Sequence, residues 1–204
     1  MREKIFEPLG ISDITFYPTP EMQQRAATLS TLSATGAGPA VDAPDFDMLF
    51  GATECLGGGG AFGSAAGYFT FLQAVLRRDP KLLTPESYDE LFKPQLDQQC
   101  KKAFNEYIRS SPAHTQYIGM GLPTDIERTW SLAGMLCEQG QEGGVVEGTY
   151  MWGGVPSMTW FMNPKAGLCG VAFCQILPPM LPAVLRLHDG FRNAMFERHD
   201  KVNK

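Results

Sequence analysis

Residues 150–167 read YMWGGVPSMTWFMNPKAG, a pattern that predicts a β-hairpin of two short strands. The first strand ends in a glycine pair, Gly153 and Gly154, although consecutive glycines weaken a strand. Glycine is favoured where a strand must approach a ligand closely, because it has no side chain. The backbone N–H of the next residue, Val155, is therefore a candidate donor to the oxyanion that forms during acyl transfer.

The strand pattern continues on both sides of this hairpin. From Trp130 onward the sequence predicts strands at residues 131–137, 149–153, 158–162 and 168–175. Because their connections are short, we expect antiparallel pairing. A helix pattern with apolar residues along one side begins at Pro182. The expected fold class is α/β of the α+β type, an antiparallel sheet with a packed C-terminal helix.

One domain is expected, because 204 residues of 44% hydrophobic composition suit a single core. We assign residues 1–128 to a helical and loop region and residues 129–204 to the sheet and the last helix. Within the first region, Ser64 and Thr84 are each placed to cap the start of a helix. Residues 95–128 are polar and are expected to be irregular.

Composition argues against several classes of function. The net charge of -5 does not suit nucleic acid, whose binding needs a basic face. No apolar run reaches the roughly 18 residues of a membrane helix, and no signal peptide is evident, so a cytoplasmic protein without membrane contact is expected. The cysteines and histidines show no metal-ligand spacing, and no metal or other cofactor is expected. The glycine run 57–60 predicts a sharp turn and lacks the Gly-Lys-Ser/Thr of a phosphate loop.

Separated blocks of the sequence resemble a known family. The blocks are IFEPLGISDITF at residues 5–16, ECLGGGGAF at 54–62, LLTPESYDE at 82–90 and NPKAGLCGVAF at 163–173. In this order they resemble the C-terminal half of the serine β-lactamase-like hydrolases of the class C, penicillin-binding-protein and esterase type. Within that group the chain looks more like the lovastatin-type acyltransferases (transesterases) of fungal polyketide biosynthesis.

The resemblance implies three catalytic elements, and this chain carries only one of them. In such enzymes Ser-x-x-Lys at a helix start supplies the nucleophile and its base, and Tyr-x-Asn or Tyr-x-Ser supplies a further base. No serine of this chain has a lysine three residues on, and no tyrosine is followed by x-Asn or x-Ser. The remaining element, the strand that supplies the oxyanion N–H, matches Trp152, Gly153 and Gly154, with Val155 as the donor.

Trp152, Gly153, Gly154 and Val155 are therefore the expected substrate-binding residues. Trp152 stands where a lysine or histidine would favour a substrate carboxylate, and its aromatic wall suits a neutral or thioester acyl group. Ordinary sheet packing is the alternative interpretation for Trp152. For Trp160, packing is the preferred interpretation.

Residues 1–6 read as the middle of an amphipathic helix. We therefore expect the front half of the family's domain, with the nucleophile and its base, to be missing from this chain. Without them the chain should be inactive by itself, and an exposed sheet edge should make it associate. A natural stand-alone fragment with a new role is the alternative.

The resemblance implies a serine-type acyltransferase (transesterase) of secondary metabolism. Such an enzyme would move an acyl group from a thioester, carried by a carrier protein or coenzyme A, to the hydroxyl of a small-molecule acceptor. Two alternatives stay open. One is an esterase or β-lactamase-like hydrolase, for which water is the acceptor, and the other is a non-catalytic remnant that binds a partner or a ligand.

Overall fold

A computed structural model describes residues 1–33, 35, 38–46 and 53–202. In this part of the chain, five strands form an antiparallel sheet with the spatial order β3-β4-β5-β6-β7. Their bounds are Arg128–Ser131 (β3), Gly134–Cys137 (β4), Thr149–Gly154 (β5), Met158–Asn163 (β6) and Leu168–Ala172 (β7). The expected antiparallel sheet is confirmed.

The sheet is covered by a helix on each face. Neighbouring residues of a strand point to opposite faces, so Phe161 and Met162 of β6 report on both. The ring of Phe161 packs against Phe196 at 5.7 Å between centroids, which places α6 (Pro182–Val202) on one face. Met162 belongs to a buried cluster with Leu72 of α2 (Ala65–Leu76) on the other face. The packed C-terminal helix is therefore confirmed.

Shorter elements surround this core. The N-terminus forms a π-helical turn, Arg2–Phe6, followed by a 3₁₀ turn, Glu7–Leu9. The remaining helices are α1 (Pro20–Gln24), α3 (Pro85–Phe92), α4 (Gln98–Arg109) and α5 (Pro112–Tyr117). A second small sheet, of order β2-β1-β8, joins β1 (Ser30–Thr31), β2 (Val41–Asp42) and β8 (Ile176–Leu177). In the part of the chain that the structure describes, no helix combines the length and the apolar character needed to cross a membrane.

Both predicted helix caps are confirmed. The Ser64 hydroxyl accepts a hydrogen bond from the backbone N–H of Gly67 at 2.9 Å, at the start of α2. The Thr84 hydroxyl accepts one from the N–H of Ser87 at 3.3 Å, at the start of α3. Each cap satisfies a backbone donor that has no partner within the first turn of its helix.

The predicted strand at residues 131–137 was wrong, because this segment contains a hairpin turn. The Ser131 hydroxyl donates to the carbonyl of Gly134 at 3.1 Å and accepts from the N–H of Ala133 at 3.0 Å. These bonds close a turn between β3 and β4, and Gly134 adopts a φ of 138° there. The last predicted strand was also too long, since β7 ends at Ala172.

The expectation of irregular structure at residues 95–128 was wrong as well, because this segment holds α4 and α5. Asp97 caps α4 by accepting from the N–H of Cys100 at 2.7 Å. Only Asn105 and Ile108 of α4 are buried, and Phe104 packs partly buried against the core. Because one of the two buried residues is polar, the sequence of this segment gives only a weak helix pattern.

Asn105 covers the outer edge of β3. Its amide oxygen accepts from the N–H of Arg128 at 3.0 Å, and its amide nitrogen donates to the carbonyl of the same residue at 2.7 Å. The N–H of Gln95 donates to the carbonyl of Trp130 at 2.7 Å. These contacts occupy backbone groups that an edge strand otherwise offers to another strand.

Replacing Asn105 by aspartate is expected to lower the free energy of unfolding by about 3 kcal/mol. Aspartate has the same shape but cannot donate to the carbonyls of Arg128 and Lys101, and it would bury a charge beside them. Urea titration followed by circular dichroism measures the loss. The matched control is Gln99→Glu on the exposed side of α4, which makes the same change of charge and should alter stability by less than about 0.5 kcal/mol. Equal losses in both variants would contradict the role of Asn105.

Candidate active site

The hairpin that the sequence predicts is present, and its register is defined. Trp152 lies opposite Trp160, Gly153 opposite Thr159 and Gly154 opposite Met158. The N–H of Ser157 donates to the carbonyl of Gly154 at 3.0 Å and closes a three-residue turn. Val155 is the first residue of this turn and is 56% exposed.

A cleft of about 440 Å³ lies beside the end of β5. Trp152, Gly153 and Gly154 line it, and Val155 follows directly but is not among the described lining residues. The rest of the lining is mainly apolar or glycine and comes from distant parts of the chain: Met1, Ile5, Phe6, Ile14, Phe16, Gly57, Gly58, Ala61, Phe62, Gly63, Ser64, Tyr68, Phe71, Met158, Trp160 and Phe173. No charged side chain is among these described residues.

The N–H of Val155 lies at the turn and has no backbone acceptor among the described residues. An ordinary ladder bond would have made it unavailable to a ligand. Its role as an oxyanion donor stays a prediction.

Ser157 holds this turn in place. It is fully buried, and its φ of 63° lies in the left-handed region, which is the usual conformation at the end of such a three-residue loop. Its hydroxyl donates to the carbonyl of Ile176 at 3.2 Å and accepts from the N–H of Met180 at 3.3 Å. The N–H of Ile176 donates in turn to the carbonyl of Pro156 at 3.1 Å. The turn that carries Val155 is therefore tied to the segment before α6.

Replacing Ser157 by alanine is expected to lower the unfolding free energy by about 2 kcal/mol, because the N–H of Met180 loses its buried acceptor. Glycine also removes the hydroxyl, but it avoids the cost of about 1 kcal/mol that a Cβ carries in the left-handed region. The expected order of stability is therefore serine, then glycine, then alanine, measured by thermal unfolding of the three proteins. An alanine variant as stable as the native chain would contradict the anchoring role of the hydroxyl.

Packing explains Gly153 without any ligand. A Cβ at this position would overlap the carbonyl oxygen of Met158, a backbone atom, and would come within 3.2 Å of the Met120 side chain and 3.4 Å of the Met180 side chain. At Gly154 a Cβ would instead meet the mobile end of the Met158 side chain at 3.0 Å. A close contact is therefore the reason for glycine at position 153, but the group in contact is the Met158 carbonyl and not a ligand.

The two tryptophans contact both the protein and the cleft. The ring of Trp152 packs edge-on against Trp130, with 4.7 Å between ring centroids. Trp160 packs against the buried cluster that includes Leu72, on the side of α2. Both also line the cleft, so sheet packing and contact with a ligand are compatible for each residue.

The hydroxyl of Ser64 lines the cleft but is already engaged. It accepts from Gly67 at the start of α2 and donates to the carboxylate of Asp13. This pairing agrees with its prediction as a helix cap. It leaves Ser64 without the lysine or histidine base that activates a serine nucleophile.

The buried thiols are not activated either. Burial raises the pKa of Cys137 and of Cys169 to about 11, so both thiols stay protonated at neutral pH. Cys174 lies 3.4 Å from the imidazole of His188, but burial raises the pKa of this thiol and lowers the pKa of the imidazole. That pair is therefore neutral. Among the described residues, no group of histidine, cysteine and carboxylate side chains could hold a metal ion.

Sequence reasoning missed most of the cleft wall. The glycine run 57–60 predicts a sharp turn, but nothing in it predicts that its first two glycines line the cleft. Tyr68 and Phe71 show the apolar spacing of a helix core, and nothing in that spacing distinguishes a residue beside a cleft from one beside a sheet.

Comparisons with known proteins agree with this arrangement. The Beta-lactamase family model matches residues 1–190. Monacolin J acid methylbutanoyltransferase of Aspergillus terreus is 31% identical over an alignment of 208 positions, which covers 98% of this chain and 49% of that protein. Lovastatin esterase of Penicillium rubens is 27% identical over 202 residues, which cover 98% of this chain and 50% of that protein.

A solved structure gives the same result. A mutant of simvastatin synthase (LovD) from Aspergillus terreus superimposes with a TM-score of 0.86 and 31% sequence identity. The match covers 98% of this chain and 50% of that one. The chain therefore spans about half the length of the relatives that it matches.

Proposed function

The chain belongs to the Beta-lactamase family, and we propose that it forms the acyl-binding half of a serine-type acyltransferase. Such a transesterase would move an acyl group from a thioester to the hydroxyl of a small molecule in secondary-metabolite (polyketide) biosynthesis. Two observations carry the proposal. The cleft beside the end of β5 has no charged side chain in its described lining, and the N–H of Val155, directly after β5, has no backbone acceptor among the described residues. The named acyltransferase relative supports the reaction type.

Each residue has a role in this proposal. The N–H of Val155 donates to the carbonyl oxygen of the acyl group, and the donation strengthens as negative charge develops on that oxygen. Trp152 supplies an aromatic wall for the acyl chain, and Gly153 and Gly154 leave room in front of it. The neutral lining suits a neutral thioester, because an unpaired charge would lose its hydration in this cleft.

The covalent steps need a hydroxyl nucleophile and a base, and we propose that both lie on polypeptide outside these 204 residues. The nucleophile adds to the thioester carbonyl, the C–S bond breaks, and the thiol leaves with a proton. The acceptor hydroxyl then adds to the resulting ester, the bond to the nucleophile breaks, and the nucleophile regains its proton. The donor thioester, on a carrier protein or coenzyme A, is part of the same proposal.

The test of this proposal uses the chain alone, labelled with ¹⁵N, and the butanoyl thioester of N-acetylcysteamine. The Val155 amide resonance is expected to shift downfield as the thioester is added, because a carbonyl oxygen accepts its hydrogen bond. The matched control is the corresponding butyl thioether, which lacks that oxygen and should leave the resonance in place. Equal responses to the two compounds, or no response to either, would overturn the proposal.

A second candidate function is ester hydrolysis, which the similarity to lovastatin esterase favours. Here water replaces the alcohol in the second step. In the complete enzyme, mass spectrometry of a reaction that contains both a thioester and an alcohol separates the two functions. An acyltransferase forms the ester of the alcohol, whereas a hydrolase releases the free acid.

A further inference from the structure

Tyr68 places a hydroxyl at the apolar cleft. Its ring contacts two phenylalanines, with centroid distances of 5.9 Å to Phe71 and 5.6 Å to Phe173. These two contacts restrict the orientation of the ring. The hydroxyl has no hydrogen-bond partner among the described residues, although Tyr68 is only partly accessible.

The other hydroxyl-bearing side chain of the described lining is Ser64, and its hydroxyl is occupied by Asp13 and Gly67. Tyr68 therefore carries the one uncommitted side-chain hydroxyl in the lining that the structure describes. The oxygen of this hydroxyl is not fully buried, so water or a ligand in the cleft can reach it. A ligand oxygen that displaces the water keeps the hydroxyl hydrogen-bonded.

We propose that the hydroxyl of Tyr68 donates a hydrogen bond to an oxygen atom of a neutral, largely hydrocarbon ligand. This inference rests on the proposed function of the cleft, and it adds a requirement for an oxygen atom away from the reacting carbonyl. The ligand class is a ketone, ester, ether or alcohol with an apolar skeleton. No side chain of the described lining is a cation that could pair with a carboxylate or a phosphate.

The protonation state of Tyr68 agrees with a donor. Burial raises the pKa of this phenol, so it keeps its proton at neutral pH. A neutral phenol can donate to a carbonyl, an ether or a hydroxyl oxygen, and each of these ligands stays neutral in the cleft.

The test compares two probes with one skeleton, 4-phenylbutan-2-one and butylbenzene, which differ by the ketone oxygen. Their binding is followed through the indole N–H resonances of Trp152 and Trp160, which both line the cleft. Tyr68→Phe keeps the ring and removes the hydroxyl. We expect it to weaken binding of the ketone by about fivefold to tenfold and to leave butylbenzene unchanged within about twofold.

Tyr88→Phe is the matched control, because it removes a hydroxyl that bonds to the carbonyl of Asp79 at 2.9 Å outside the cleft. It should leave both affinities unchanged. Equal weakening of the two probes by Tyr68→Phe would indicate packing alone and would overturn the inference. Unchanged ketone binding, or no binding of either probe to the native chain, would overturn it too. The Val155 response to the thioester is a separate readout, so failure of the proposed function is distinguishable from failure of this inference.

Discussion

Replacing Gly153 by valine is expected to lower the free energy of unfolding by about 3 kcal/mol. The new Cβ would overlap the carbonyl oxygen of Met158, and its methyl groups would press on Met120 and Met180. The carbonyl oxygen of Met158 cannot move aside without disturbing the pairing of Met158 with Gly154. Chemical denaturation measures the stability, and amide hydrogen exchange of β5 and β6 shows whether the hairpin opens locally.

Gly154→Ala is the control for this prediction. Its Cβ would meet the mobile end of the Met158 side chain, which can change rotamer. We expect a change in stability below about 1 kcal/mol. If Gly153→Val and Gly154→Ala cost the same, the close contact with the Met158 carbonyl would not be the reason for glycine at position 153.

The chain made alone is expected to associate at roughly 50 µM through the outer edge of β7. This edge is formed by residues 168–172 and has no strand partner in the part of the chain that the structure describes. It also has no proline and no charged residue, the features with which natural edge strands prevent pairing. The opposite edge, at β3, is already covered by Asn105 and Gln95. Sedimentation velocity measures the association.

Ala172→Lys places a charge on the β7 edge and is expected to shift the chain toward monomer without a large loss of stability. Leu132→Lys is the control, because it makes the same change of charge at a different place. Leu132 is 65% exposed and lies at the turn beside the opposite edge of the sheet. Equal effects of both substitutions would point to net charge and not to the β7 edge. A native chain that is monodisperse and melts cooperatively as a monomer would refute the association itself.

The sheet, its last helix and both capped helices could be predicted from sequence, because each depends on neighbours within a few residues. The alternation along residues 158–162 and the caps at Ser64 and Thr84 are signals of this kind. The turn at Ser131 and the helix α4 were missed. The turn depends on a short polar contact of Ser131 inside a segment that reads as one continuous strand. The helix α4 buries only two residues.

The candidate site could be predicted in part. Trp152, Gly153 and Gly154 line the cleft, and their role in substrate binding stays a prediction. Tyr68 has the apolar spacing of a helix core, and this spacing is the same whether or not a cleft lies beside the ring. No pattern within α2 marks its hydroxyl as uncommitted.

By itself, the sequence determined that this chain forms an antiparallel hairpin with a glycine pair before Val155, since strand alternation and turn residues act locally. Only the tertiary structure decided why Gly153 must be glycine, which atoms hold Ser157, and which side chains surround the cleft. These depend on contacts between residues far apart in the chain, such as Ser157 with Met180 and Phe173 with Tyr68. Such contacts form when the core packs, and they leave no periodicity in the sequence.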